Sequence, residues 1–178
     1  MNKPIVLVGL MGAGKTSIGR VLARRLELPF VDLDHDIETA CGCSVVDIFR
    51  LYGEPEFRRI EERVFERVLS GAPIRKVIST GEGAFITKRI RELALEKAVT
   101  VWLKADLELL EKRTSARATR PQLLAGEPSR VLSKLLDERH HIYAEANFIV
   151  ETTDEPRAKT LEKVMAALCG ATKPPHNG

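Results

Sequence analysis

At 178 residues the chain has the size of one domain, long enough to bury a core without disulfides or a structural metal. Its 44% hydrophobic and 30% charged residues are ordinary for a globular protein and exclude collagen, coiled coil and wholesale disorder. The net charge of +3 is too small to argue for nucleic acid or a membrane surface as partner, and it suits anions held at one local site.

In chain order, residues 4–8 read as a buried strand and 15–26 as a helix with Ile18, Val21, Leu22 and Leu26 on one face. Residues 30–33 form a short strand, and 45–51 and 55–69 read as helices, the second with Phe57, Ile60, Val64 and Val68 at helical spacing. A strand at 76–79 leads to a helix at 87–97, and a strand at 99–103 to a helix at 107–113. Residues 115–128 break the pattern: they are polar and Arg-bearing, with Pro121, Gly126 and Pro128. A helix at 130–143, a strand at 147–150 and a helix at 158–168 follow, and 171–178 reads as a flexible tail after a single domain of residues 1–170. Five strands alternating with helices predict an α/β three-layer domain around a parallel sheet, with ligands at the carboxyl edge of the strands.

No apolar run approaches the 18 or more residues of a membrane span, and no signal-peptide pattern opens the chain, so a cytoplasmic protein is expected. Cys41, Cys43 and Cys169 have neither zinc-knuckle nor Cys-x-x-Cys redox spacing and read as thiols in a reducing compartment.

The segment Gly9-Leu10-Met11-Gly12-Ala13-Gly14-Lys15-Thr16, followed by Ser17, fits G-x-x-x-x-G-K-[ST] between a strand and a helix. Its glycines let successive N–H groups curl around a phosphate, and the following helix aims its positive end at the same point. Lys15 can reach the β- and γ-phosphates, and the Thr16 hydroxyl can ligate Mg²⁺.

Asp32 and Asp34 lie two apart at the end of the second strand, a spacing that puts both on one strand face beside the phosphate loop. There one carboxylate can hold Mg²⁺ through water and the other can accept a proton from a nucleophile. Asp36 is assigned to helix capping. The charged stretch from Glu56 to Arg63 reads as a solvated helix face with Arg58 paired to Glu62. Gly81-Glu82-Gly83 follows a strand and permits close approach of a ligand to backbone. The 115–128 excursion reads as a mobile lid over phosphates. His140 and His141 point in different directions on a helix and read as surface or packing residues.

These pieces in this order resemble the shikimate kinase family, small P-loop kinases, from about residue 4 to residue 169. The similarity rests on GLMGAGKTSIGR, DLDHDIE, DIF followed by GEPEFRRIEE, STGEGAF, TRPQLLAG and ERHHIY. It implies a P-loop kinase fold with a mobile lid, transfer of the ATP γ-phosphoryl group to the 3-hydroxyl of shikimate, and ATP and Mg²⁺ as cofactors; a monomer is expected, and the small net charge and short apolar runs speak against nucleic-acid or membrane partners. By resemblance, Asp34 binds the ring hydroxyls and orients or deprotonates the attacking one. Arg58 and Arg139 pair with the substrate carboxylate, and Phe49 and Phe57 wall the pocket. Arg120 is the lid arginine that meets phosphate and substrate, Arg113 packs on adenine, and Pro156 belongs to the adenine loop. Thr16 and Asp32 form the Mg²⁺ site, with Gly12, Ala13, Gly14, Lys15 and Ser17 around the nucleotide phosphates.

The family has three consecutive glycines where this chain has Gly81, Glu82 and Gly83. An inward Glu82 would repel a bound carboxylate, so the expectation is that it points to solvent when substrate is bound. Three other readings stay open: a different small-molecule kinase of gluconate or nucleotide type, a nucleotide-binding regulator without transfer activity and, last, a nucleic-acid-binding module, against which the charge of only +3 and the lack of an aromatic stacking platform speak.

Overall fold

A computed structural model of the chain describes residues 2–115 and 128–170. Five parallel strands form one sheet: β1 (Ile5–Val8), β2 (Phe30–Asp32), β3 (Val77–Ser79), β4 (Val99–Ala105) and β5 (Phe148–Thr152), in the order β2-β3-β1-β4-β5. Ile5 lies opposite both Val77 and Val99, so β1 is the central strand. That position explains its composition: Val6, Leu7 and Val8 are all completely buried, as a strand covered on both faces requires.

The helices are α1 (Lys15–Arg25), α2 (Leu33–Cys41), α3 (Val45–Ser70), α4 (Lys88–Lys97), α5 (Leu107–Ser115), α6 (Pro128–Tyr143) and α7 (Arg157–Gly170), with a short 3-10 turn at Ala84–Ile86. Helix α1 packs on β1, β2 and β3 beside α7, while α3 packs with α4. The close seat of α1 depends on Gly19, because a Cβ there would fall 2.6 Å from the Phe30 ring. Gly53 breaks α3 with φ 78° and ψ 171°, so the two helices expected at 45–51 and 55–69 are present as two runs joined at that residue. Pro55 then falls in the first turn of the second run, where its missing N–H costs no helical bond. Ser44 caps the first run by accepting the Asp47 N–H at 3.1 Å.

Two differences from the sequence expectation bear on the site. Strand β2 ends at Asp32, and Leu33 opens a helix, α2, that the sequence reading left out. Asp34 therefore lies in the first turn of a helix and not on a strand face with Asp32, and Asp36 shares that turn while Asp32 holds the capping position. Strand β4 also runs on to Ala105, two residues beyond the expected end.

A stack of aromatic rings ties the far side of the sheet together. Tyr143 of α6 lies 5.7 Å from the Trp102 ring of β4 and 6.4 Å from the Phe85 ring of the 3-10 turn. His140 meets the edge of Trp102 at 5.1 Å, the packing role expected of it. This anchorage sets the C-terminal turn of α6 against the loop that follows β3.

Candidate active site

The phosphate loop runs from the end of β1 to the start of α1. Gly14, just before the helix, has φ 92° and ψ 17°, a left-handed conformation that a side chain would strain. Lys15 is buried, and its ammonium donates to the carbonyls of Gly9 at 2.7 Å and Leu10 at 2.9 Å. The loop is thus closed on its own lysine, which holds a cation at the mouth of the helix. A cleft of about 520 Å³ opens above it. Its walls include Gly12, Ala13, Gly14, Lys15, Thr16 and Ser17 from the loop and first turn, and Asp32 and Asp34 from β2 and α2. Arg113 lines the far wall; it donates to the Gly12 carbonyl at 3.3 Å and the Thr153 carbonyl at 3.1 Å, bridging the phosphate loop to the segment after β5.

Thr16 Oγ1 donates to Asp32 Oδ2 at 2.9 Å and lies 3.3 Å from Ser79 Oγ. Three hard oxygen donors from α1, β2 and β3 thus converge at the floor of the cleft. Among the described residues no cluster of three or more His, Cys, Asp or Glu side chains is placed to hold a metal. One hydroxyl and one carboxylate fit Mg²⁺, which keeps several waters and is completed by substrate phosphates.

Beside the cleft, a second cluster gathers around the loop after β3. Glu61 of α3 is fully buried; its Oε2 accepts from Arg58 Nη1 at 2.7 Å, and its Oε1 has no hydrogen-bond partner among the described residues. Arg58 also reaches Glu54 at 3.0 Å. The expected partner, Glu62, is not the one used: Arg58 pairs inward with the buried Glu61 and outward with the exposed Glu54, so its main partner is internal and not part of a solvated ladder. Burial pushes the Glu61 carboxyl up to about 7 against the pull of Arg58, with the negative charges of Asp34 and Glu82 adding to the rise. Burial also works against charge on Arg58, but Glu61 and Glu54 together outweigh it and raise the guanidinium further.

The glycines of the loop are contact points. A Cβ on Gly81 would lie 2.7 Å from Asp34 Oδ1 and 3.0 Å from Glu61 Oε1. A Cβ on Gly83 would lie 2.3 Å from Arg58 Nη2. Backbone without side chains is therefore what lets Asp34, Arg58 and Glu61 meet one loop. Phe57 is buried under this cluster, with Phe49 at 4.4 Å between ring centroids and the Arg58 guanidinium 5.2 Å above the Phe57 ring.

Glu82 turns inward, toward one of the two arginines it was expected to meet when no substrate carboxylate holds them. Its side chain is buried and faces Arg139 Nη1 at 3.8 Å, while the Tyr143 hydroxyl donates to its backbone carbonyl. Its φ is not positive, so the backbone at 82 accepts a side chain without strain.

A sequence model of the family described as shikimate kinase matches residues 11–169. The chain belongs to the shikimate kinase family. A shikimate kinase from Paramagnetospirillum magneticum is 48% identical over 94% of this chain and 85% of its own length. One from Caulobacter vibrioides is 49% identical over 93% of this chain and 82% of its own. The solved shikimate kinase from Acinetobacter baumannii in complex with shikimate superposes with a TM-score of 0.91 at 34% identity, covering 97% of this chain and 96% of that one.

For a shikimate kinase, the residues singled out in the sequence divide cleanly by place. Gly12, Ala13, Gly14, Lys15, Thr16, Ser17, Asp32, Asp34 and Arg113 share the large cleft. Arg58, Gly81, Glu82, Gly83, Arg139, Phe49 and Phe57 gather next to it, joined through Asp34 and Glu61. Pro156 is exposed, between Glu155 and Arg157, both of which line the cleft. Arg120 and residues 116–127 lie outside the described residues. The sequence reading missed Glu61, Thr114 and Thr160, of which the last two line the cleft. Glu61 carried a usable signal: it is three residues after Arg58 on a helix whose apolar residues Phe57, Val64, Phe65 and Val68 are buried.

Proposed function

We propose that this chain transfers the γ-phosphoryl group of ATP to the 3-hydroxyl of shikimate, giving shikimate 3-phosphate and ADP. The observation that carries this reading is the adjacency of two sites. A phosphate cradle with a buried lysine meets, at Asp34, a cluster in which Arg58 lies over the Phe57 ring and Arg139 faces the loop after β3.

In this reading the loop amides and Lys15 bind the nucleotide phosphates and offset charge that builds on the transferred group. Thr16 and Asp32 would hold Mg²⁺, which when bound neutralises phosphate charge. Arg58, backed by Glu61, and Arg139 pair with the acceptor carboxylate, for which a planar guanidinium is suited. Asp34 touches both sites, so it can orient the acceptor hydroxyl toward the phosphate and take up its proton. Arg113 braces the phosphate loop against the segment after β5, where the nucleotide base would lie.

The test is an acceptor panel of shikimate, gluconate, simple polyols and nucleosides with ATP and Mg²⁺, and ³¹P–¹H correlation spectra of the product. The expected product is a phosphate ester at the 3-position of shikimate. Preferential phosphorylation of gluconate or a nucleoside would replace this reading with another small-molecule kinase.

A further inference from the structure

Glu82 brings a carboxylate up to arginines that are themselves suited to a carboxylate. It is 4% exposed, and its Oε1 lies 3.8 Å from Arg139 Nη1. That separation is an ion pair but too long for a hydrogen bond. Arg139 Nη1 is buried and has no hydrogen-bond partner among the described residues, so it keeps a donor for an incoming acceptor. Tyr143, one helical turn further along α6, donates to the Glu82 carbonyl, which fixes the backbone from which the side chain projects. The other charged groups around this point are Arg58 and Glu61 on α3 and Asp34 on α2.

We infer, on the footing of the shikimate reading above, that Glu82 is a specificity-determining residue: an internal carboxylate that offsets the charge of Arg139 and weakens the preference for an acidic acceptor over a neutral one. An acceptor that carries a carboxylate meets arginines whose charge is already compensated. It must share Arg139 with Glu82 or displace it, and both reduce its binding. A neutral acceptor of the same shape meets no such competition. The backbone at 82 is unstrained, so removing the side chain changes charge and volume without releasing backbone strain.

The test compares wild type with Glu82→Gln, which keeps the shape, and Glu82→Gly, which also removes the volume. Shikimate and shikimate methyl ester are the acceptors, and steady-state ADP release is read for each, with KM for ATP as control. Replacing the charge should lower KM for shikimate about tenfold, the equivalent of about 1.4 kcal/mol. KM for the ester and for ATP should stay in place, so the acid-to-ester ratio of kcat/KM should rise by the same factor. The Gly variant should move that ratio in the same direction, which keeps the test intact if Gln disturbs folding. An unchanged ratio in active, folded variants would remove Glu82 from acceptor choice and leave the shikimate assignment standing. A falling ratio would do the same and make Glu82 a support for the arginines. No ADP release with either acceptor by any of the three proteins would overturn the assignment itself, and the role of Glu82 with it.

Discussion

Gly83→Ala tests whether the loop after β3 sets the position of Arg58. Gly83 has φ −96° and ψ −5°, which alanine adopts freely, so the backbone is not the issue. The new methyl carbon would lie 2.3 Å from Arg58 Nη2 and 2.6 Å from Cζ, whereas ordinary contact begins near 3.4 Å. The guanidinium must therefore retreat by about 1 Å. It is the far end of a flexible side chain, so the fold survives the clash. Its bond to Glu61 at 2.7 Å, and any bond to an acceptor carboxylate, do not survive it in register. A charge-assisted hydrogen bond contributes about 1.5–3 kcal/mol, which predicts a rise of about 10- to 100-fold in KM for shikimate. KM for ATP should move less than about twofold, because the phosphate loop is untouched. A coupled ADP-release assay across shikimate concentrations, with circular dichroism to verify folding, reads both effects. An unchanged KM for shikimate in a folded Gly83→Ala protein would refute the placement of Arg58 on the acceptor.

Three further outcomes are expected. Lys15→Ala should nearly abolish ADP release, since Lys15 both closes the loop on Gly9 and Leu10 and supplies charge at the phosphates; turnover within about tenfold of wild type would contradict this. Asp34→Asn should lower kcat by about 10²–10⁴ while calorimetry shows ATP binding intact; a near-normal kcat would remove Asp34 from the transfer step. Glu61 gives a stability signature: its carboxyl titrates at about 7 in the fold against an ordinary 4.5, so the fold favours the protonated form. Its contribution is whole below the ordinary value and is lost as pH rises through about 7, a change of about 3 kcal/mol in all. Chemical denaturation should show wild type losing that amount relative to Glu61→Gln between pH 4.5 and 8, and parallel pH profiles would contradict the burial argument.

Some of this site was legible along the chain and some was not, for physical reasons. The phosphate loop depends on residues within one turn of each other, so its spacing carries its geometry. The strands announced themselves as short apolar runs, and the paired helices across Gly53 were read correctly as separate segments. Helix α2 was missed because only Leu33 and Ile37 face inward from it, while its acidic first turn looks like loop. Asp34 was singled out for the right neighbourhood through the wrong geometry: helix, not strand alternation, turns it toward Gly81. Glu61 looked like one charge among many on a solvated face. Gly81, which packs against its Oε1, and Asp34, whose charge it feels, come from elsewhere in the chain. Glu82 was noticed as a departure from pattern, but its inward pose depends on Arg139 and Tyr143, more than fifty residues away.

ADP release from ATP, followed with and without shikimate and with and without Mg²⁺, tests the central assignment most directly. Release that requires both shikimate and Mg²⁺, and saturates with each, is the predicted result. Release that ignores shikimate, or none at any shikimate concentration in a protein that binds ATP, would contradict it.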